Sequence, residues 1–163
     1  MLIEEKIVKY FSEKGLMIAS AESCTGGLIS KRITDISGAS LMFGYGLCTY
    51  ANEAKMKLIN VSEDTLSKYG AVSAQVASEM ASGLLKLSEA DVAICTTGMA
   101  SPGWQPTDKP VGMVFIGVSS KLGTRTVELS LGHLGTREKI RNASVDRALE
   151  EGLAEAMKLT EGV

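Results

Sequence analysis

The stretch LMIASAESCTGGLISKRITDI, residues 16–36, combines three local patterns that decide the fold. Residues 16–20 form a short apolar run, which predicts a buried strand. The small residues of AESCTGG at 21–27, with paired glycines, are typical of a tight turn between a strand and a helix. Residues 28–36 predict that helix. A strand, a turn and a helix in this order indicate an α/β protein.

Segments on both sides continue this alternation up to residue 97 and then give way to a hairpin and a last helix. This order predicts one domain over 1–163, with three α/β/α layers and a mixed central sheet covered on both faces. Apolar spacing with polar caps predicts further helices over 2–14, 53–59 after Asn52, 63–69 after Ser62, 74–88 after Ser73, and a last one after Thr136. Apolar runs predict strands over 47–50, 91–97, 112–119 and 124–131, the last two joined by a turn at 121–123.

The composition excludes several classes of function. The chain has 163 residues and a mass of 17.2 kDa, the size of one domain. Its 17 basic and 19 acidic residues leave a formal charge of −2, so we expect no nucleic-acid partner. No apolar run approaches the roughly 20 residues that span a bilayer, and the N-terminus lacks a signal-peptide pattern. We therefore expect a cytoplasmic protein without membrane contact.

The scarce residues argue against a metal site. The three cysteines, Cys24, Cys48 and Cys95, lie far apart without a CxxC pair, and His133 is the one histidine. A zinc site would need an unusual set of distant ligands, so we expect neither metal nor cofactor. Unpaired thiols in apolar stretches fit a reducing compartment. His133 stands alone in a glycine-flanked loop, and we interpret it as a loop residue rather than a base.

Ligands of open α/β sheets bind at the carboxyl ends of strands, and the 21–27 turn is the first such end. Ser23 and Thr25 precede a helix there, and the amides of Gly26 and Gly27 can approach a ligand closely. Two interpretations stay open. Thr25 caps the helix while the glycines shape the turn, or Ser23 is an exposed nucleophile.

Lys55 marks the second strand end, in TYANEAK at 49–55. If Asn52 caps the helix, Lys55 takes the third helical position, where the helix dipole disfavours a positive charge. Together with burial, this environment lowers an ammonium pKa, as a general base requires. The alternative is a solvated lysine. Because the histidine is an improbable base, a nucleophile here would depend on Lys55, with Ser23 and Tyr50 as the other candidates.

The third strand end is CTTGMASPG at 95–103, where Thr97 and Gly98 begin a glycine-containing turn. Backbone amides in such a turn can bind a phosphate or a carboxylate, although the string matches no standard phosphate motif. Downstream, Arg137 and Arg141 share one helix face, and a cation in the first helical turn is disfavoured unless an anion is near. A solvated face is the alternative. The segment 101–110 contains all three prolines and the one tryptophan, and it predicts a shaped surface loop.

Six strings occur in this order along the chain: AESCTGG (21–27), TYANEAK (49–55), YGAVS (69–73), TTGMASPG (96–103), KPVG (109–112) and R-x-x-x-R (137–141). Taken together, they resemble the C-terminal domain of the competence/damage-inducible protein CinA. The resemblance covers almost the whole chain, and the chain is similar to the stand-alone members of the family, which lack the N-terminal domain of longer CinA proteins.

The resemblance implies hydrolysis of nicotinamide mononucleotide to nicotinate mononucleotide and ammonia, without a metal or a cofactor. It places the nucleophile at Ser23 and the base at Lys55, with Tyr50 and Thr97 orienting the pair. Substrate binding would fall to the turn residues and a helix arginine, namely Thr25, Gly26, Gly27, Gly98, and Arg137 or Arg141. A homo-oligomer is also expected. The rival hypotheses are a non-catalytic nucleotide-binding or competence/repair module, and a general amidase.

One residue departs from the family pattern, because Ser101 stands where the family usually has a glycine. If that position has a positive φ, a serine there costs roughly 1–2 kcal/mol. The bulky Trp104 follows it closely. The departure bears on substrate binding more than on Ser23 and Lys55.

Overall fold

A computed structural model describes residues 1–103 and 107–162. One five-stranded sheet, in the order β2-β1-β3-β4-β5, organises this part of the chain. The strands are β1 (Ile18–Glu22), β2 (Phe43–Cys48), β3 (Val92–Gly98), β4 (Met113–Ser120) and β5 (Gly123–Ser130). The helices are α1 (Ile3–Lys14), α2 (Leu28–Thr34), α3 (Asn52–Ile59), α4 (Glu63–Tyr69), α5 (Ala74–Ser88) and α6 (Arg137–Glu161), with short 3₁₀ turns at Ala39–Leu41 and Gly132–Leu134.

The sheet is mixed, as predicted. β1 runs parallel to both β2 and β3, whereas β4 is antiparallel to β3 and to β5. The carboxyl ends of β1, β2 and β3 therefore meet at one edge of the sheet, and the amino end of β4 lies beside them. Every segment that the sequence singled out for chemistry before residue 104 follows one of these three strands.

Helices cover the two faces of the sheet and give the predicted three layers. α1, α2 and α6 pack on one face around a core that includes Ile18, Ile94 and Leu149. α3, α4 and α5 lie on the other face, where the core includes Ala93 and Met80. The two cores use alternate residues of each central strand because successive side chains of a strand point to opposite faces.

The predicted caps of three helices are confirmed, and a glycine ends a fourth helix. Gly15 ends α1 in the left-handed conformation, with φ 64°. The hydroxyls of Ser62, Ser73 and Thr136 each accept a hydrogen bond from the backbone amide three residues further on, at the starts of α4, α5 and α6. Such caps satisfy amides that have no partner within the helix.

Several boundaries differ from the sequence-based expectation. β1 begins at Ile18, two residues later than predicted, because Leu16 and Met17 connect the end of α1 to the sheet. β2 spans 43–48 rather than 47–50, and its glycine-rich, exposed sequence hides the strand from an apolar pattern. α2 ends at Thr34 rather than residue 36. Most residues of β2 are exposed, because this strand lies at the edge of the sheet.

Gly83 controls how closely α3 approaches α5. It lies inside α5, opposite the last turn of α3, and a Cβ atom at this position would overlap the backbone carbonyl of Ile59. Glycine inside a helix costs about 1 kcal/mol relative to alanine, so its presence here needs a packing reason. The close contact with Ile59 supplies that reason and fixes the end of α3 against α5.

Within residues 1–103 and 107–162, no helix is both long and apolar enough to cross a membrane.

Candidate active site

Ser23 and Lys55 meet at the carboxyl edge of the sheet. Ser23 directly follows β1, and its backbone amide donates to the carbonyl of Thr96 at 3.0 Å, which extends the β1–β3 pairing by one residue. Lys55 comes from the first turn of α3. Its Nζ atom lies 3.1 Å from the Oγ atom of Ser23. Two segments that are separate in the sequence thus bring a hydroxyl and an amine into hydrogen-bond contact.

The amine of Lys55 is buried and has a defined set of partners. Only 1% of the residue is exposed, and Nζ donates to the carbonyls of Thr49 at 2.8 Å and Tyr50 at 3.1 Å. Burial lowers the pKa of Lys55 to about 8, because desolvation disfavours the charged form. A neutral amine has two N–H groups and one lone pair. With both N–H groups directed at the carbonyls, the lone pair can accept the proton of Ser23.

The position of Lys55 in α3 differs from the prediction. Ala51 precedes the helix in an extended conformation, and Asn52 is its first residue, so Asn52 is not the cap. Lys55 consequently takes the fourth helical position rather than the third. Burial is the largest cause of the lowered pKa of Lys55.

Thr25 is buried beneath the turn. Its hydroxyl donates to the Oε1 atom of Glu22 at 2.7 Å and lies 2.7 Å from the hydroxyl of Thr96. Gly27, with φ 98°, stands at the N-cap position of α2, so the interpretation of Thr25 as the helix cap is wrong. The hydroxyl of Thr25 points to these two interior partners. A contact between Thr25 and substrate stays a prediction.

Glu22 is a central residue of this turn that the sequence analysis missed. Its carboxylate is fully buried and accepts hydrogen bonds from the hydroxyl of Thr25, the amide of Ile29, and the amide and hydroxyl of Ser30. The signal was a charged residue at the end of an otherwise apolar strand. A buried carboxylate needs several donors, so such a residue indicates a local polar network.

Arg141 holds the turn from the opposite side. Its guanidinium donates to the carbonyl of Cys24 at 3.1 Å and to that of Thr25 at 2.8 Å. A Cβ atom at Gly26 would lie 3.3 Å from this guanidinium, and Gly26 itself has a positive φ of 55°. The glycines therefore give the turn its conformation and leave room for Arg141.

A cavity of about 380 Å³ opens in front of Ser23. Arg137 lies at its rim and donates to the Oγ atom of Ser101 at 2.9 Å and to the hydroxyl of Tyr50 at 3.3 Å. Of the two predicted arginines, Arg137 therefore lines the cavity, whereas Arg141 contacts the turn. The described residues that line it are Ser23, Cys24, Tyr50, Gly98, Met99, Ala100, Ser101, Pro102, Gly103 and Arg137.

The structure separates the roles of Thr97 and Gly98. The hydroxyl of Thr97 is buried and donates to the carbonyl of Ala71 at 2.7 Å, which ties the segment between α4 and α5 to the end of β3. Gly98 lines the cavity, and a Cβ atom there would overlap Val114. Glu22 pairs with Thr96 in the sheet, so Ser23 and Thr97 each follow a paired residue at the carboxyl ends of β1 and β3.

Ser101 does not have the positive φ that would strain a serine at this position. The non-glycine residues with positive φ in the described part of the chain are Asn60 and Glu89. Ser101 instead uses its side chain to contact Arg137. Trp104 and its two following neighbours lie outside the described residues, so the predicted shape of the 101–110 loop is described only in part.

The other candidate nucleophiles and bases are less suited to reaction. Burial raises the pKa of Cys24 to about 11 and that of Cys95 to about 12, so both thiols stay protonated near neutral pH. His133 is exposed in the short turn Gly132–Leu134 and does not line the cavity. Over 1–103 and 107–162, no group of three or more His, Cys, Asp or Glu side chains could hold a metal ion.

A second, wider depression of about 470 Å³ lies between α4, α5 and β5. Hydroxyl side chains such as those of Thr65 and Thr126 line it, together with Glu79. The Glu79 carboxylate already accepts hydrogen bonds from the amide of Ser62 and the hydroxyl of Thr65. Ser23, which contacts Lys55, lines the smaller cavity instead.

Fold and site together define a three-layer α/β protein with a serine and a lysine in contact at the carboxyl edge of a mixed sheet. The chain belongs to the CinA C-terminal domain family, which matches residues 2–156.

Named relatives agree with this membership. A putative competence-damage inducible protein of Clostridium novyi is 47% identical over 91% of this chain, and a CinA-like protein of Chloroherpeton thalassium is 53% identical over 77% of it. These alignments take up 35% and 30% of the two relatives, so the chain spans about a third of the length of the curated relatives it matches.

Solved structures agree with the fold. A competence/damage inducible protein from Agrobacterium tumefaciens superposes with a TM-score of 0.89 at 40% identity, covering 94% of this chain and 93% of that one. A CinA superfamily protein from Escherichia coli gives a TM-score of 0.86 at 30% identity, covering 94% of this chain and 87% of the other.

Proposed function

We propose that this protein hydrolyses the carboxamide of nicotinamide mononucleotide, giving nicotinate mononucleotide and ammonia. The observation that carries the proposal is the 3.1 Å contact between Ser23 Oγ and Lys55 Nζ, with the amine held by two backbone carbonyls. A nucleophile, and a base whose lowered pKa suits neutral solution, are what hydrolysis of an amide requires.

In the first half of the reaction Ser23 attacks the substrate. Neutral Lys55 takes the hydroxyl proton, and Oγ forms a bond to the carboxamide carbon. The carbonyl oxygen becomes an oxyanion, for which the backbone amide of Cys24, directly after the nucleophile, is the nearest donor in the sequence. Lys55 then returns the proton to the amide nitrogen, the C–N bond breaks, and ammonia leaves an ester on Ser23.

In the second half, water replaces ammonia. Lys55, again neutral, takes a proton from water as the oxygen attacks the ester carbon, and the tetrahedral intermediate collapses with release of Oγ. The proton held by Lys55 passes to Ser23. Nicotinate mononucleotide forms as the carboxylic acid, whose proton passes to the solvent, and it departs as a carboxylate. One amine thus serves both halves, first with the serine and then with water.

Substrate recognition would fall to the opposite side of the cavity. The guanidinium of Arg137 is a bidentate donor to phosphate, and Tyr50, with 63% of its surface exposed, can pack against a pyridine ring. A cavity of about 380 Å³ lies within the roughly 300–1,000 Å³ of small-molecule sites. Within this proposal Thr97, Gly26 and Gly27 shape the site rather than react.

Ammonia release from nicotinamide mononucleotide by the purified protein tests the proposal. Ser23→Ala should abolish release, whereas Ser82→Ala, which changes an exposed serine on α5, should retain it. Release from a panel of small amides at equal rates would indicate a general amidase instead. Calorimetric binding of the nucleotide without any ammonia would support a non-catalytic module.

The cellular setting is part of the same proposal. Cys24, Cys48 and Cys95 are all unpaired, which suits the reducing cytosol in which nucleotide metabolism takes place. We propose a small-molecule substrate as the partner and no bound cofactor. The expected homo-oligomer stays a prediction.

A further inference from the structure

The Glu22 carboxylate is a buried ionisable group that the reaction above does not use. It is 0% exposed and has four donors around its two oxygen atoms. Oε1 accepts from the Thr25 hydroxyl and the Ile29 amide, both at 2.7 Å. Oε2 accepts from the amide of Ser30 at 3.2 Å and from its hydroxyl at 3.1 Å.

These contacts join the end of β1 to the first turn of α2 across the Ser23 turn. Ser23 is the next residue after Glu22, so its backbone position depends on how Glu22 is held. The backbone carbonyl of Glu22 also accepts from the amide of Thr49 at 2.9 Å. The carbonyl of Thr49 in turn accepts from Lys55. Glu22 is therefore connected to both members of the reacting pair.

We propose that Glu22 is a positioning residue that fixes Ser23 Oγ against Lys55 Nζ. For its effect on turnover the inference rests on the proposed function, but its effect on the reactivity of Ser23 does not. Glu22 does not line the cavity in front of Ser23. Its loss should therefore lower kcat and leave KM nearly unchanged, since the orientation of the nucleophile is lost and the recognition side is untouched.

Glu22→Gln is the informative variant because all four partners are donors. The glutamine side chain has nearly the same size, but its NH₂ group would face an N–H or O–H donor instead of accepting from it. Misplacing a nucleophile by a fraction of an ångström to one ångström costs about 10- to 100-fold in rate. We expect kcat to fall by about 30-fold within that range.

Glu155→Gln is a matched control. Glu155 is a second buried carboxylate, 4% exposed, which accepts from the Ser120 hydroxyl at 2.6 Å and from Arg125 Nε at 3.3 Å. It joins α6 to β4 and β5, away from the Ser23 turn. Its replacement should lower the melting temperature as the Glu22 change does, while kcat stays within about twofold because the reacting pair is unaffected.

Covalent labelling by phenylmethanesulfonyl fluoride measures the reactivity of Ser23 without any substrate. Oγ displaces fluoride at sulfur, so an O–S bond forms, the S–F bond breaks and Lys55 takes the proton. Intact mass and peptide mapping give the second-order rate constant at Ser23. Glu22→Gln should lower this constant by about the same factor as kcat, because both depend on the orientation of Oγ.

The outcomes separate the two proposals. Fast labelling of Ser23 with no ammonia from nicotinamide mononucleotide would end the proposed substrate and leave the positioning role testable by labelling alone. Labelling of Glu22→Gln at the wild-type rate, or an equal loss in Glu155→Gln, would overturn the positioning role. Failure of phenylmethanesulfonyl fluoride to label Ser23 in the wild-type protein would also overturn the positioning role.

A milder variant keeps the test decisive if Glu22→Gln fails to fold. Ser30→Ala removes one hydroxyl donor from Oε2 and leaves the carboxylate and the amide contacts in place. It should lower labelling and kcat by about threefold, as expected for loss of one of several hydrogen bonds to a charged group. Unchanged labelling and kcat in folded Ser30→Ala would count against the inference.

Discussion

The turn that carries Ser23 and the loop that faces it across the cavity are held by different kinds of contact. The turn lies between the buried carboxylate of Glu22 and the guanidinium of Arg141, which bonds to its carbonyls. This loop spans residues 99–112, and in its described part the backbones of Met99 and Gly112 are hydrogen-bonded at the base. Further out, its described side chains contact the exposed Arg137 through Ser101.

Under the proposed function, this difference divides the site into a part for reaction and a part for recognition. Buried, charge-assisted hydrogen bonds hold a group within a few tenths of an ångström, which a nucleophile and its base require. Contacts at the surface hold side chains less tightly and can adapt to a ligand. The buried wall of the cavity is therefore suited to the chemical step, and the exposed wall to recognition.

Replacing Lys55 by methionine should produce the largest effect and act on the buried wall alone. Methionine keeps the volume of the buried side chain but supplies no base. We expect kcat for ammonia release to fall by about 10² to 10⁴-fold, the usual contribution of a general base, with a small change in KM. Steady-state kinetics measure this, and circular dichroism checks the fold. A variant that retains half of the wild-type rate would remove Lys55 from the mechanism.

The pH dependence of kcat/KM also tests the buried wall, and we expect an effect of intermediate size. Lys55 must be neutral to act, and its pKa is lowered to about 8. The value of kcat/KM should rise by about tenfold per pH unit below that pKa and become level above it, because only the deprotonated fraction reacts. Rates between pH 6 and 9 measure the profile. A midpoint near 10, or activity that falls as the pH rises from 7 to 8, contradicts this assignment.

Replacing Arg137 by glutamine tests the exposed wall and should have the smallest effect of the three. Loss of the guanidinium should raise KM for nicotinamide mononucleotide by about 10-fold, the value of one charge-assisted contact, and leave kcat near the wild-type value. The riboside without phosphate should show almost no change. Arg147→Gln, on the same helix and paired with Glu151, is the matched control. A fall in kcat with unchanged KM would place Arg137 with the chemistry instead.

The local patterns of the sequence were sufficient for most of the fold and for singling out Ser23 and Lys55, which the structure brings into contact. The caps Ser62, Ser73 and Thr136 follow from side chains that bond to amides three residues away, which is a local property. Ser23 is marked by its place in a turn just before paired glycines. Lys55 is marked by its place in the first turn of a helix, where the helix dipole disfavours a positive charge. Parallel strands then bring such residues to one edge of the sheet.

The supporting contacts were harder to predict for a physical reason. Arg141 bonds to the backbone carbonyl of Cys24, 117 residues away in the chain, and a carbonyl leaves no mark in the sequence. The predicted second strand begins too far along the sequence, because the exposed β2 strand shows no apolar alternation. The position of Glu22 at the end of a strand indicates a polar network, but the sequence does not show which donors take part. The packing of β1 against α2 brings the donors of α2 to the carboxylate.

The glycine at position 83 has a consequence for anyone who engineers this protein for heat resistance. Alanine in place of a helical glycine is a common stabilising replacement, but here the added methyl group would press on the carbonyl of Ile59. The displaced segment is α3, whose first turn carries the amine of Lys55. A Gly83→Ala replacement made for stability would therefore move Lys55 relative to Ser23. Position 83 should be left out of any library built on helix propensity.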